Sequence, residues 1–316
     1  MSQLISVGNA GAKGRSTFAK SLIRSGTLLT DEPPLLKIPY EHPNSIRYNL
    51  RVLESFSQLT DNDKATFLAL SMNEGEFTKI RGFFLVNHIN MTERDVAICA
   101  IFNTNAVRMG PDSNANNGTG VFLKYCRMNH SCAPNASYAV HSASGHMRVR
   151  AHRDIAAAEE VLVSYTGDLI QSKQERRKDI NFDCVCHICT AVDVASSDAR
   201  RQRINAIMHG TKIFMCRQSR LITTIRAAGG NTALWLDQIL HGAVADGAIV
   251  PTNANEALTL TKERLSLLGR ESITGPELIL VWGMLALVYR LLGDNEKSFK
   301  AMLMQDMHGV KCQGRE

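Results

Sequence analysis

The chain predicts an α+β fold: small β-sheets in the first part, a helical insert within them, a short cysteine-rich segment, and an all-α region at the end. Three observations carry this prediction. Short apolar runs broken by glycine and proline dominate the first 170 residues, interrupted by helix-spaced apolar residues at about 41–97. Residues 171–190 carry three cysteines in six positions. From 191 to 316 the apolar spacing is helical, which divides the chain into a 1–170 domain, a 171–190 tail and a 191–316 helical domain.

In order, Leu4 to Val7 reads as a strand, the loop from Gly8 to Arg15 carries glycines, and Phe18-Ala19 resumes a strand. Thr27 to Leu29 and Asp31 to Leu36 read as a strand running into a proline-stopped edge at Pro33-Pro34. Ile46, Leu50 and Leu53, then Phe67, Leu68 and Leu70, are spaced as on helices, with Thr60 and Asp61 as caps. Thr92 starts another helix with Val96, Cys99 and Phe102 on one face and Asn105 at its end. Residues 110–120 read as a mobile polar loop. Ser137 to Val140 and Met147 to Ala151 read as paired strands around Gly145. Helices follow around Ile204, Ile207 and Met208, over Leu234 to Leu240, over Ala257 to Leu268, and as a pair from Glu277 to Leu292 and Asn295 to Met304 with a turn at Gly293. That pair resembles a tetratricopeptide helix pair; an ordinary helical domain reads equally well.

Composition excludes several function classes. A formal net charge of +6 makes the surface mildly basic, which suits acidic partners without implying nucleic acid. The basic runs Lys173 to Lys178 and Arg200 to Arg203 sit in helix-like sequence and read as solvated faces. The apolar run Leu278 to Tyr289 is too short to span a bilayer, so no membrane segment is expected. Eight cysteines without an N-terminal signal pattern argue for an intracellular, reducing setting, in the nucleus or cytoplasm, where clustered thiols mean metal. Cys184, Cys186 and Cys189 are one thiolate short of a tetrahedral set, and Cys132 can complete a structural zinc site. His187 competes for that place but lies inside the short loop between ligands; buried or free thiols are the plainer alternative. Cys99, Cys126, Cys216 and Cys312 are expected to be free.

Asn129-His130-Ser131-Cys132-Ala133-Pro134-Asn135, then Glu160 to Tyr165, then Phe182-Asp183-Cys184-Val185-Cys186-His187-Ile188-Cys189 resemble, in order and spacing, the SET-domain protein lysine methyltransferases with a post-SET zinc tail. The resemblance covers about residues 4–190 and is similar to the SET-and-MYND subgroup, including fungal members. Residues 37–98 hold no cysteine, so no MYND finger is expected. The resemblance implies small sheets around a knot-like core, S-adenosylmethionine as methyl donor, and a lysine of a histone or another protein as acceptor. It implies Tyr165 as catalytic tyrosine and Lys13, Gly14, Arg15, Asn105, Asn129, His130, Tyr165 and Phe182 as cofactor-binding. Tyr165, Ile180 and Phe182 would line the lysine channel.

Each residue also has a plainer reading. Tyr165 and His130 could be core, Phe182 packing, and Asn105 a helix C-cap. Three departures from the family pattern stand out: Ser16 and Ala158 replace glycines, and Ile180 replaces a channel tyrosine. With the helical C-terminal region suited to binding another protein, they motivate an alternative, a weak or inactive SET-like interaction module.

Overall fold

The structure is a computed structural model that describes residues 3–42, 45–110, 118–141, 143–228, 236, 240 and 247–313. Its two compact units interleave along the chain: residues 1–16, 28–128 and 138–149 form one, and 17–27, 129–137 and 150–316 the other.

In the first unit, β1 (Ile5–Asn9) turns through Gly11–Lys13 into β2 (Arg15–Ala19), and the two pair. Pro33 and Pro34 then split the expected single strand into β3 (Leu28–Glu32) and β4 (Leu36–Pro39), because proline offers no N–H to a ladder. β4 joins an antiparallel sheet of order β4-β6-β5, with β5 at Ala106–Arg108 and β6 at Gly118–Val121. β6 corrects the expected loop over 110–120, of which 111–117 lie outside the described residues. Its glycines disguise a central strand. A Cβ on Gly118 would stand 1.9 Å from the Ile38 carbonyl oxygen, so the close approach of β4 excludes any side chain there.

Four helices occupy the insert: α1 (Ile46–Ser57), α2 (Asp61–Leu68), α3 (Glu74–Val86) and α4 (Glu93–Asn105). Each starts on a side-chain cap: Ser45, Thr60, Asn73, and Thr92, whose reciprocal bond with Asp95 makes a capping box. Ile46, Leu50 and Leu53 do lie on a helix, but the buried face of α1 is Tyr48, Val52 and Phe56, with Leu53 packed at its margin and Leu50 48% exposed. Both sets have helical spacing, and only packing against Phe67, Ile80, Phe84, Val96, Cys99 and Phe102 selects one. α4 runs past residue 97 to Asn105 and leads directly into β5.

In the second unit, β7 (Asn129–His130) pairs parallel with β10 (Leu162–Val163), Asn129 opposite Leu162 and His130 opposite Val163. Asn135, fully buried, extends this pairing: its amide donates to the Glu160 carbonyl at 2.8 Å and its Oδ1 accepts from Leu162 N at 2.8 Å. The first unit holds most of the sheet β3-β9-β8, in which β8 (Ala136–Val140) and β9 (Met147–Ala151) are the expected pair around Gly145. Ala158 sits at φ +64°, in the left-handed region that favours glycine.

α5 (Lys173–Ile180) opens on a Ser172/Glu175 capping box and closes on left-handed Asn181. α6 (Val194–Cys216), α7 (Ser219–Ala228), α8 (Ala254–Arg270), α9 (Pro276–Leu291) and α10 (Asn295–Gln313) follow; most of the expected helix over 234–240 lies outside the described residues. α8 packs on α6 and α9 through Ile204, Ile207, Leu268, Val281 and a second cluster of Met215, Met284 and Val288, and α9 packs on α10 through Leu285, Ala286 and Ala301. α10 reaches well beyond Met304, with Ala301, Gln305 and Cys312 continuing its buried stripe. The two basic runs do lie on helices, α5 and α6, but not wholly in solvent. Arg176 is 2% exposed and Arg201 is fully buried. No described helix is long and apolar enough to cross a membrane.

Candidate active site and cysteine centre

The β7–β10 pairing decides where the candidate catalytic groups stand. His130 leaves β7 directly opposite Val163, and two residues after Val163 the Tyr165 backbone N–H donates to His130 Nδ1 at 3.0 Å. With Nδ1 accepting, the ring proton sits on Nε2, which faces Cys132 Sγ at 3.4 Å. Burial pushes the His130 pKa down to about 4, so the neutral ring is the one that makes both contacts. His130 is therefore buried with both ring nitrogens in contact, and it fixes the backbone of Tyr165. Tyr165 is not core: it is 44% exposed, its ring 5.5 Å from that of His130 and 6.4 Å, edge-on, from Phe182. Phe182 is 41% exposed and meets His130 edge-on at 6.0 Å. The three rings form one half-open aromatic cluster. Asn129 donates from its amide to Glu160 Oε1 at 2.9 Å.

Behind the rings, the sulfurs of Cys132, Cys184, Cys186 and Cys189 all lie within 4.8 Å of one another. Cys132 Sγ is 3.5 Å from Cys189 Sγ and 3.9 Å from Cys184 Sγ. A tetrahedral zinc at about 2.3 Å from each sulfur would set those separations at about 3.8 Å. The donor set thus fits one structural metal ion with no open position. His187 is exposed and outside the cluster, and none of the eight cysteines forms a disulfide. Cys132 lies two residues past His130, so the turn that carries the ring also anchors the tail.

Lys13, Gly14 and Arg15 belong to the first unit, in the β1–β2 hairpin. Gly14 at φ +75° donates its N–H to the Gly11 carbonyl, and its own carbonyl accepts from Ala10 N. Ser16, next in line, is fully buried with no partner for its hydroxyl. Asn105, also in the first unit, is the last residue of α4 rather than its left-handed cap. Its amide donates to the carbonyls of Ser71 at 2.7 Å and Ile101 at 2.8 Å, leaving Oδ1 as its spare acceptor. Ile180 is half-buried at the end of α5, and Asn181 turns the chain from it into Phe182.

Sequence reading missed the polar groups that hold these parts: Glu160 on Asn129, Arg176 on the cysteines, and Arg201 with Glu271. The Ser172-x-x-Glu175 box could have set the register of α5. It could not have said which of its basic residues turns inward.

Residues 14–166 match the sequence profile of the SET domain. This segment is a SET domain. Among curated proteins, the histone-lysine N-methyltransferase set5 of Schizosaccharomyces pombe is 34% identical over 140 residues, 39% of this chain and 43% of that protein. The N-lysine methyltransferase SMYD2 of Bos taurus is 25% identical over 173 residues, 53% of this chain and 38% of that protein. The chain thus spans less than half the length of either relative. A solved structure of the SET domain of LSMT bound to lysine and AdoHcy covers 100% of this chain and 90% of its own at 12% identity, with a TM-score of 0.38. The SET-domain protein is therefore related to fungal SET5 and to the SMYD lysine methyltransferases, with three of its four clustered cysteines following the domain and Cys132 inside it.

Proposed function

We propose that this SET-domain protein is an S-adenosylmethionine-dependent protein lysine N-methyltransferase acting on a histone or another protein. The observation that carries the reading is Tyr165: its backbone is fixed by His130, and its ring stands half-exposed against Phe182 instead of in the core. S-adenosylmethionine supplies an electrophilic methyl on a sulfonium. The lysine nitrogen takes that methyl as the carbon–sulfur bond breaks, leaving a neutral thioether, and the proton on nitrogen goes to solvent. Such an in-line displacement needs alignment and a dry, neutral amine more than it needs an acid or base.

The tyrosine hydroxyl orients the amine, and the edge-on rings of Phe182 and His130 wall the channel against water. Asn129 and His130 bind the donor alongside them. By the family pattern, Lys13, Gly14, Arg15 and Asn105 are further candidates for donor contacts. The four sulfurs hold zinc in a purely structural role, pinning the tail that carries Phe182. The helical region supports binding of a protein partner: α10 presents Phe299, Leu303 and Val310, each at least half exposed. A histone substrate would place the protein in the nucleus.

Purified protein, labelled donor and a mixed protein extract test the reading. Wild type transfers label to protein, and Tyr165→Phe lowers the rate about a hundredfold, the scale of one oriented donor. Absence of transfer by wild type, or undiminished transfer by Tyr165→Phe, refutes it. Ile180, which offers no hydroxyl where relatives carry a channel tyrosine, favours a second reading as a weak or inactive interaction module. Titration calorimetry separates the two, since a module would not bind the donor at millimolar concentration.

A further inference from the structure

We infer that Arg176 and Arg201 form an outer clamp on the four-cysteine centre, so that α6 of the helical region is part of what holds the metal. This rests on the zinc reading above. Arg176 turns inward from an otherwise exposed basic run: its Nε donates to Cys132 Sγ at 3.1 Å, one terminal nitrogen faces Cys189 Sγ at 3.7 Å, and the other bonds the Gln171 carbonyl. Arg201 donates to the Cys132 carbonyl at 3.1 Å and to the Leu169 carbonyl. Its Nε is held by Glu271 at 2.8 Å, and that buried carboxylate also accepts from Arg200 Nε and Ser197 Oγ. Asp198 of α6 caps the first N–H of α5, at Lys173, whose Nζ donates to the Cys189 carbonyl at 2.8 Å.

The charges explain why arginine stands there. Four thiolates around a dication carry a net charge of about −2, which is costly to bury without donors aimed at sulfur. Arg176 supplies charge and two directed N–H groups at once, a fork that lysine cannot reproduce. Both of its sulfur contacts go to the buried pair, Cys132 and Cys189, and Cys132 also faces His130 Nε2. Cys184 Sγ, by contrast, accepts from the Cys186 backbone N–H at 3.4 Å. Arg201 acts one step further out, fixing the carbonyl of Cys132 itself, and both arginines are positioning residues. Outer partners of this kind are worth about 10- to 100-fold in metal affinity.

The test uses the full chain. Zinc per chain is measured first, then the rate of zinc loss to a chelator, for wild type, Arg176→Met, Arg176→Lys, Arg201→Met and the control Arg200→Met, which alters the Glu271 network without touching the cysteine turn. Wild type holds one zinc. Arg176→Met and Arg201→Met lose it about tenfold faster or more, Arg176→Lys rescues incompletely, and Arg200→Met matches wild type. In cobalt-substituted protein, loss of N–H donors to sulfur moves the thiolate-to-metal absorption to longer wavelength in Arg176→Met and not in Arg200→Met. Wild-type release and an unmoved band in Arg176→Met overturn the clamp while leaving zinc in place; absence of zinc from wild type overturns the reading beneath it. Should Arg176→Met fail to fold, Arg176→Lys with wild-type release and an unmoved band overturns the clamp by itself.

Discussion

Ala158→Gly is expected to stabilise the protein. Ala158 is exposed and sits at φ +64°, where an L-residue with a Cβ crowds its own following carbonyl at a cost of about 1–2 kcal/mol. Its methyl packs on nothing that would be lost, and its N–H bond to the Ala19 carbonyl at 2.8 Å is made by backbone alone. Against that relief stands the greater freedom of glycine in the unfolded chain, about 0.5–1 kcal/mol. The net is a gain of about 0.5–1 kcal/mol, or a rise in Tm of about 1–3 °C for a chain of this size. Ala157 makes the internal control: it is exposed, in the same turn, and outside the positive-φ set. Ala157→Gly carries the entropy cost without the relief and loses about 0.5–1 kcal/mol. Urea titration of both variants, with scanning fluorimetry alongside, reads the two signs. A neutral or destabilised Ala158→Gly, or the same sign for both, refutes the strained-turn reasoning.

Cys132→Ser should lower both zinc content by metal analysis and Tm; unchanged values rule Cys132 out as a ligand. Gly210→Ala should destabilise by about 3 kcal/mol or more in denaturant titration, although alanine favours helix by about 1 kcal/mol. A Cβ at position 210 would stand 1.8 Å from the Ile249 carbonyl oxygen where that segment crosses α6. His152 is buried, its Nδ1 on Thr274 Oγ1 at 2.9 Å and its Nε2 without a partner, and burial pushes its pKa from 6.5 down to about 4. The unfolded chain binds this proton below pH 6.5 while the folded one does not until about pH 4. The His152 contribution to stability is therefore full above pH 6.5 and lost as pH falls toward 4, by about 3 kcal/mol in all. Urea midpoints of wild type and His152→Gln across that window check it, with a smaller pH slope expected in the variant.

Much of the candidate site was legible because its signals are local and chemical. Cys184-x-Cys186-x-x-Cys189 can face one ion on any short turn, Thr60 and Thr92 announce helix starts by their own hydroxyls, and the order of Asn129 to Asn135, Tyr165 and Phe182 carries the SET resemblance. β6 escaped because its glycines imitate a loop; Gly118 is there for the backbone of β4, about eighty residues away. The buried face of α1 was not legible because Tyr48, Val52 and Phe56 share one period with Ile46, Leu50 and Leu53, and only the neighbouring helices distinguish the two sets.

By itself the sequence determined the α+β class, the grouping of the four cysteines, and the tyrosine and aromatic that stand together. Each follows from spacing along one short stretch or from the chemistry of one residue type. Tertiary structure alone decided that His130 gives its Nδ1 to the Tyr165 backbone, that Tyr165 stays out of the core, and that two arginines leave solvent for the cysteine turn. Those outcomes depend on which distant segment offers a partner: a charge in a helical run is solvated until a buried anion or carbonyl is brought within reach, and no periodicity in its own stretch records that meeting.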